Sequence, residues 1–476
     1  MLDKSNQREV KNMTVITSCN VYIPVWRLER EEIAKATGFQ SLGGERSVAC
    51  WDEDSITMAV EAASGIVESA NSVDALIFAS TSSPFKVKQA ASLIATALDL
   101  KSDIFTADVT DTFRASTNAL IMASEMADSG KYKKILVVAS EKIPVKPSTL
   151  YEQLFGDGAV ALTVEKGGDG SEGEAEILGY SSHSKPQPGA WMKAYDDSMK
   201  DFDMRVDARF GYAANLQAAV MPLFAKMGLM PTDVDRLVIS APDPKSYVGL
   251  LKSVGVKPEE FFFDKVGILG TTHPFLLLAH HLAKEGKIVL GSYGEGSDAF
   301  LIDIKSPLKS NLDKMIESRK KIDYGEYLYF REKIGEKTYP DNPSPVKYWR
   351  DEKSILRFYG MKCKNCGTVS YPISRCCIQC GAKDNYEEVK LSEKGRVYTY
   401  TIDNLLSPGN YNADGIHPHV VAVVDFDGGG RVFMEVTDIY RGKEEIDIGM
   451  EVERTFRFLN EKNEFRYYYW KVRKPR

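Results

Sequence analysis

At 476 residues the chain has the length for two or three domains and a large buried core. Its 43% hydrophobic and 27% charged residues are ordinary for a globular protein, and a net charge of −6 excludes a chain-wide electrostatic grip on nucleic acid. No apolar run approaches the roughly 18 residues of a membrane span, and Met1 to Lys11 is polar where a signal peptide would be apolar, so a cytoplasmic protein with no membrane partner is expected.

Strand-like runs at Thr14 to Ile23, Ala75 to Ala79, Ile104 to Asp108, Ile135 to Ala139 and Val160 to Val164 alternate with helical patterns near Ser55 to Ser69, Gln89 to Leu98 and Ala115 to Ser129. A second series follows, with strands at Leu237 to Ser240, Ile288 to Ser292 and Phe300 to Ile304. Helices near Leu216 to Met227, Tyr247 to Val254 and Pro274 to Lys284 are interleaved with them. This order predicts an α/β domain with covered, largely parallel sheets. Each half closes on a Gly-rich turn and a strand, Gly156-Asp157-Gly158-Ala159 and Gly296-Ser297-Asp298-Ala299, which suggests duplication. Periodicity alone leaves open whether these are two doubly wound units or one doubled fold.

From Lys305 to Val346 the composition turns charged, with Arg319-Lys320-Lys321, and then Pro-containing at Pro340-Asp341-Asn342-Pro343-Ser344-Pro345. It reads as a helical and extended connector, either solvated or packed on a partner chain.

Five cysteines lie between residues 363 and 380. Cys363-x-x-Cys366-Gly and Cys377-x-x-Cys380-Gly are two knuckles separated by ten residues, the spacing of a four-thiolate zinc site. Cys376 is the spare thiol. A disulfide pair does not suit a cytosolic protein, and a redox Cys-x-x-Cys needs only one knuckle. With no His or carboxylate offering an open position, the zinc is expected to be structural. Beyond it, alternating segments at Gly395 to Thr401, His419 to Asp425, Arg431 to Thr437, Glu451 to Phe458 and Phe465 to Val472, with Gly428-Gly429-Gly430 as a turn, predict a five-stranded OB-type barrel. Tyr467-Tyr468-Tyr469-Trp470 could be a base-stacking platform. In a strand, however, these aromatics alternate faces, so half belong to the core and no nucleic-acid partner is expected.

Tyr22-Ile23-Pro24-Val25-Trp26-Arg27-Leu28, Asp52-Glu53-Asp54-Ser55 and the two Gly-rich turns resemble the 3-hydroxy-3-methylglutaryl-CoA (HMG-CoA) synthase family of the thiolase superfamily. The ribbon and barrel are similar to small proteins that accompany thiolases and acyltransferases. The resemblance implies a duplicated thiolase-like domain over 12–306, the connector over 307–345, a zinc ribbon over 346–388 and an OB fold over 389–476. It also implies acyl-CoA as ligand or substrate, and a homodimer or a hetero-oligomer with a catalytic thiolase-type subunit.

The family's catalytic groups do not carry over. The resemblance puts Phe113 in place of the acyl-carrying cysteine, Thr81 in place of the glutamate, Ser240 in place of the histidine and Ile268 in place of an asparagine. Cys19 and Cys50 stand at no strand-to-helix turn and read as packing residues. His273 is a candidate replacement, with Asp111 and Glu295 beside the altered turn. Arg27 and Lys245 match basic positions that approach the CoA phosphates. The expected function is therefore an acyl-CoA-handling subunit without a nucleophile, in a complex making or breaking carbon–carbon bonds. The alternatives are a cysteine-free aldolase-type lyase, or an HMG-CoA synthase as homology alone would assign.

Overall fold

The computed structural model describes residues 14–167, 175–186, 189–193, 199–334, 344–403, 419–439, 446–462 and 465–476. No helix among them is long and apolar enough to cross a membrane.

Nine strands form the principal sheet: β1 (Thr14–Tyr22), β2 (Ala75–Ala79), β3 (Phe105–Val109), β4 (Lys134–Glu141), β5 (Gly158–Lys166), β6 (Ala175–Ser184), β7 (Arg236–Ile239), β8 (Gly286–Tyr293) and β9 (Gly296–Ile304). Their order is β3-β2-β4-β5-β1-β6-β9-β8-β7. Read outward from the β1/β6 junction, the halves run β1-β5-β4-β2-β3 and β6-β9-β8-β7, a doubled arrangement whose second half is one strand shorter among the described residues. Only β2–β3, β2–β4 and β7–β8 are parallel. The other five neighbours are antiparallel, which corrects the largely parallel sheet expected from the sequence. The alternation of strands and helices hid this because β8 and β9 are joined directly at Gly294-Glu295, and because β6, half-exposed along its length, shows no apolar run.

Helices α1 (Ser55–Ser64), α2 (Ala115–Asp128), α3 (Ala214–Met227) and α4 (His273–His281) cover and link the strands. Asp54 caps α1 by accepting from the Ile56 and Thr57 amides while Thr57 closes the box. The face of α2 that meets β4 and β5 is built from Ala115, Ser116, Ala119, Ala123 and Ala127, small enough for close approach. Buried almost all round, α4 touches α2, β1, β7 and β8 and sits between the halves.

The connector is not a solvated linker where it is described. Lys320–Ile322 pairs with Trp26–Leu28, and Ile322, Tyr327, Tyr329 and Phe330 join Trp26, Leu28, Ile33 and Val48 in a second core. Most of Pro340 to Pro345 lies outside the described residues. In the ribbon, Tyr359–Cys363 runs between Val369–Ser370 and Tyr386–Lys390. Strands β10 (Lys394–Asp403), β11 (His419–Phe426), β12 (Arg431–Glu435), β13 (Glu451–Lys462) and β14 (Phe465–Arg473) then form a sheet in the order β12-β11-β10-β13-β14, and a bridge from Val436 to Val472 nearly closes it into a barrel. The β11–β12 turn needs its glycines: all three have positive φ, and a Cβ on Gly430 would lie 2.7 Å from Leu391.

The barrel is joined to the α/β domain through buried charge. Asp52, Glu53 and Asp54, at the entry to α1, are 0%, 2% and 3% exposed. Arg457 on β13 meets Glu53 at 2.6 Å and Asp438 at 2.9 Å, and Lys471 on β14 meets Asp52 at 3.1 Å. Tyr468 donates to Asp54 at 2.7 Å, and Arg473 pairs with Glu61 at 2.7 Å. Burial alone would raise the Asp52 carboxyl, but Lys471 and Arg457 outweigh it and hold the group below its usual value. Arg457→Ala would strand Glu53 without its cation and leave Asp438 with only Arg473 at 4.0 Å. It is expected to cost roughly 3–5 kcal/mol, the usual range for breaking a buried pair, seen as a lowered thermal midpoint and faster proteolysis between residues 330 and 360.

Candidate active-site cleft and metal centre

Strand β3 delivers the chain into a tight turn, Thr110 to Arg114, with Asp111 at φ 70°, and α2 starts immediately afterwards at Ala115. The turn is clamped to the β8–β9 hairpin. Thr112 Oγ1 and Arg114 Nε donate to the Gly294 carbonyl at 3.0 and 2.7 Å, and Arg114 pairs with the buried Asp298 at 2.9 Å. Asp298 also accepts from Thr117 and Ser182, both at 2.7 Å. The side chain presented by this turn is a phenyl ring: Phe113 packs 5.7 Å from Phe155, which stacks in turn on Tyr151.

Beside the turn opens a cleft of about 970 Å³. Thr81, Phe113, Ser240, Ile268 and His273 all line it, so positions spread over almost 200 residues of sequence are brought to one place. Asp111 and Glu295 line it as well. The barrel reaches its mouth, where Arg466 lines the cleft, Phe465 packs 5.7 Å from Phe85 and Lys88 lies 5.4 Å from the Phe465 ring.

No thiol serves this cleft among the described residues. Cys19 and Cys50 are buried elsewhere, and burial pushes the Cys19 thiol up to about 12 and Cys50 well above its ordinary value. Ser240 Oγ has only a 3.5 Å approach to the Gly291 carbonyl and no adjacent base. His273 is fully buried, edge-on to Phe261 at 4.7 Å, and burial drives its pKa down to about 3, so the ring is neutral near pH 7, with Nδ1 accepting the Leu269 amide at 3.4 Å and one N–H left on Nε2.

Reasoning from the sequence missed Glu141, the last residue of β4. Its Oε1 accepts from the Thr81 amide at 2.8 Å and the Thr81 hydroxyl at 2.9 Å, and its Oε2 accepts from the Ser82 hydroxyl at 2.6 Å. Burial pushes its pKa up to about 7, against the lowering effect of those hydrogen bonds. The only sequence signal was an acid ending the run Ile135-Leu136-Val137-Val138-Ala139-Ser140, at the carboxyl end of a strand where α/β sheets place ligands. The raised value has a stability consequence. The native carboxyl holds its proton up to about pH 7, the unfolded one only to about 4.5, so this group's contribution is fully present below 4.5 and is lost as pH rises to 7. The difference in unfolding free energy between Glu141→Gln and the unaltered chain should therefore shift by roughly 3 kcal/mol in favour of the variant between pH 4.5 and 8, measured by denaturant titration at each pH.

The two expected CoA contacts part company. Arg27 is fully buried, bonded to the carbonyls of Pro24, Trp26 and Met315 with Glu45 3.9 Å from its Nε, and does not line the cleft. Lys245 is exposed at the start of the Pro244–Ser253 helix, following Ser240 to Asp243 on the cleft wall.

The four cysteines of the knuckles converge. Cys363 and Cys380 Sγ are 3.7 Å apart, Cys366 and Cys377 Sγ 3.6 Å, and all four sulfurs lie within 4.8 Å of one another. A tetrahedron with zinc–sulfur bonds of ~2.3 Å has edges of about 3.8 Å, whereas a disulfide would need about 2 Å. The donor set fits zinc, with every position filled by the protein. Metal analysis should return one zinc per chain, and Cys363→Ser with Cys377→Ser should abolish it.

Three regions of the chain match known families. Residues 107–186 match 3-oxoacyl-[acyl-carrier-protein] synthase III, residues 350–386 the rubredoxin-like zinc ribbon domain of ChsH2, and residues 388–457 the C-terminal OB-fold domain of ChsH2. The hydroxymethylglutaryl-CoA synthase of Methanocaldococcus jannaschii is 29% identical over 351 residues, 68% of this chain and 99% of that protein. The Aeropyrum pernix synthase is also 29% identical, over 66% of this chain and 92% of its own length. Among solved structures, an HMG-CoA synthase complexed with CoA superposes with a TM-score of 0.61 at 19% identity, covering 69% of this chain and 92% of its own. The 3-oxoacyl-(acyl carrier protein) synthase III of Pseudomonas aeruginosa superposes with 0.55 at 18%, over 62% and 99%.

Proposed function

We propose that this chain, an HMG-CoA-synthase-like thiolase domain carrying a ChsH2-type zinc ribbon and OB barrel, acts on acyl-CoA thioesters in carbon–carbon bond formation or cleavage without passing through an acyl-enzyme. The carrying observation is Phe113 on the turn at the head of α2. A phenyl ring forms no thioester, and none of the seven cysteines stands in its place at the cleft. The cleft, of about 970 Å³ and lined by Lys86, Lys88 and Arg466, supports binding of a phosphate-bearing ligand.

Two settings follow. In the first, this is the non-nucleophilic subunit and a partner of the same fold supplies the cysteine. The free backbone of β3 favours it: β3 is the last strand of the sheet, and Phe105 on it is 42% exposed. In the second, the chain itself runs an aldol or retro-aldol step, which needs a base and an enolate but no thiol; Glu141 favours it.

Calorimetry with acetyl-CoA should give saturable binding, while intact-mass analysis after incubation should show no acetyl adduct; an adduct on the unaltered chain would overturn the proposal. Phe113→Cys should yield at most slow acetylation and no HMG-CoA from acetyl-CoA and acetoacetyl-CoA, because restoring one of three cooperating groups recovers little. Sedimentation should give a dimer or larger assembly, and native mass spectrometry of the endogenous complex separates the settings by the presence of a cysteine-bearing partner.

A further inference from the structure

Thr81 and Glu141 form a hydrogen-bonded pair that reaches the cleft through Thr81. Glu141 is fully buried and pairs with no cation among the described residues: its carboxylate is held by the Thr81 amide, the Thr81 hydroxyl, the Ser82 hydroxyl and the Thr271 backbone. The two hydroxyls differ. Ser82 Oγ already accepts the Lys142 amide at 2.9 Å, whereas Thr81 Oγ1 accepts nothing among the described residues and lines the cleft. Thr81 therefore has its proton on Glu141 and its lone pairs open to a ligand. The pair stands beside the turn: a Cβ built on Gly270 would lie 3.3 Å from both Glu141 Cγ and Phe113 Cε1.

We propose that Thr81 and Glu141 are a proton relay serving the β-oxygen of a 3-hydroxyacyl-CoA, a reading that rests on the acyl-CoA function proposed above. In the cleavage direction the substrate's β-hydroxyl gives its proton to Thr81 Oγ1 as Thr81 gives its own to a Glu141 oxygen. The Cα–Cβ bond breaks, its electron pair passes into the thioester enolate, and the β-carbon becomes a carbonyl. The proton now on Glu141 then returns through Thr81 to Cα of the enolate, giving the shortened acyl-CoA and restoring the carboxylate. In condensation the same path returns the proton to the new alkoxide. No oxidant or second cofactor enters. Glu141 acts through Thr81, whose hydroxyl is the group in contact with substrate.

The surroundings leave Glu141 free to exchange this proton near neutral pH. Burial holds the carboxyl at about 7. The charged groups on the elements around it are committed elsewhere: Lys142 Nζ donates to the Cys50 and Glu53 carbonyls, Arg331 to Asp157, and Arg114 to Asp298. His273, at the start of α4, is neutral.

The test is infrared titration of the full-length protein with 3-hydroxybutyryl-CoA as probe, alongside calorimetry of the same ligand. One carboxyl band should titrate near neutral pH and be missing from Glu141→Gln. Saturating probe should move its midpoint by on the order of one pH unit. Thr81→Val should keep the band and the binding but lose the ligand-induced shift, and Thr81→Ser should restore it. Binding with an unmoved midpoint, or a shift that survives Thr81→Val, overturns the relay alone. Absence of binding heat overturns the acyl-CoA reading and the relay with it.

Discussion

Three successive acids at the entry to α1 set the terms for the rest of the molecule. Asp52, Glu53 and Asp54 are sealed from water, and an isolated buried carboxylate costs several kcal/mol unless a cation or donor meets it. Their partners come chiefly from the far end of the chain: Arg457, Lys471, Tyr468 and Thr437. The α/β domain therefore reaches its lowest free energy only with the barrel seated on it, and the barrel's own Asp438 and Glu435 are satisfied by the same cations. A hydrophobic joint would hold two surfaces together with little preference for register. Paired charges fix it, because a small slip would leave a buried ion unmet.

That registration matters at the cleft. The residues of β14 that carry Tyr468 and Lys471 into the joint are continuous with Phe465 and Arg466, which stand at the cleft mouth against Phe85 and Lys88. The barrel is thus part of the cleft wall. Turn, hairpin and barrel then make a rigid frame, with Arg114 and Asp298 holding the turn from the other side.

Much of this was legible in the sequence. The knuckle spacing placed Cys363, Cys366, Cys377 and Cys380 together because metal geometry leaves little freedom. The alternation of Glu451 to Phe458 and Phe465 to Val472 located β13 and β14, and motif resemblance brought Thr81, Phe113, Ser240 and His273 to one cleft. What escaped had no local signature. Arg27 looks like a surface cation in sequence; only the fold shows its guanidinium turned onto carbonyls. The antiparallel centre depends on which strands meet, and β6 is too polar to announce itself. Glu141 is an ordinary acid at a strand end until Thr81 and Ser82, some 60 residues away, are folded onto it.

Phe113 and the state of Glu141 belong to one patch of the cleft. The phenyl ring packs toward Phe155 and, across Gly270, borders Glu141 with apolar surface. Removing water from a carboxylate disfavours its charge, and here that effect exceeds the lowering from the hydrogen bonds of Ser82, Thr81 and the Thr271 backbone and raises the carboxyl to about 7. In the relay proposed above, the ring that offers no nucleophile at the turn stands beside the carboxyl assigned the acid–base work. A carboxyl with a pKa matched to its surroundings is most useful where it must both accept and return a proton. In the function proposed above, the chemistry rests on oxygen at the end of β4, beside a turn that presents a phenyl ring to the cleft.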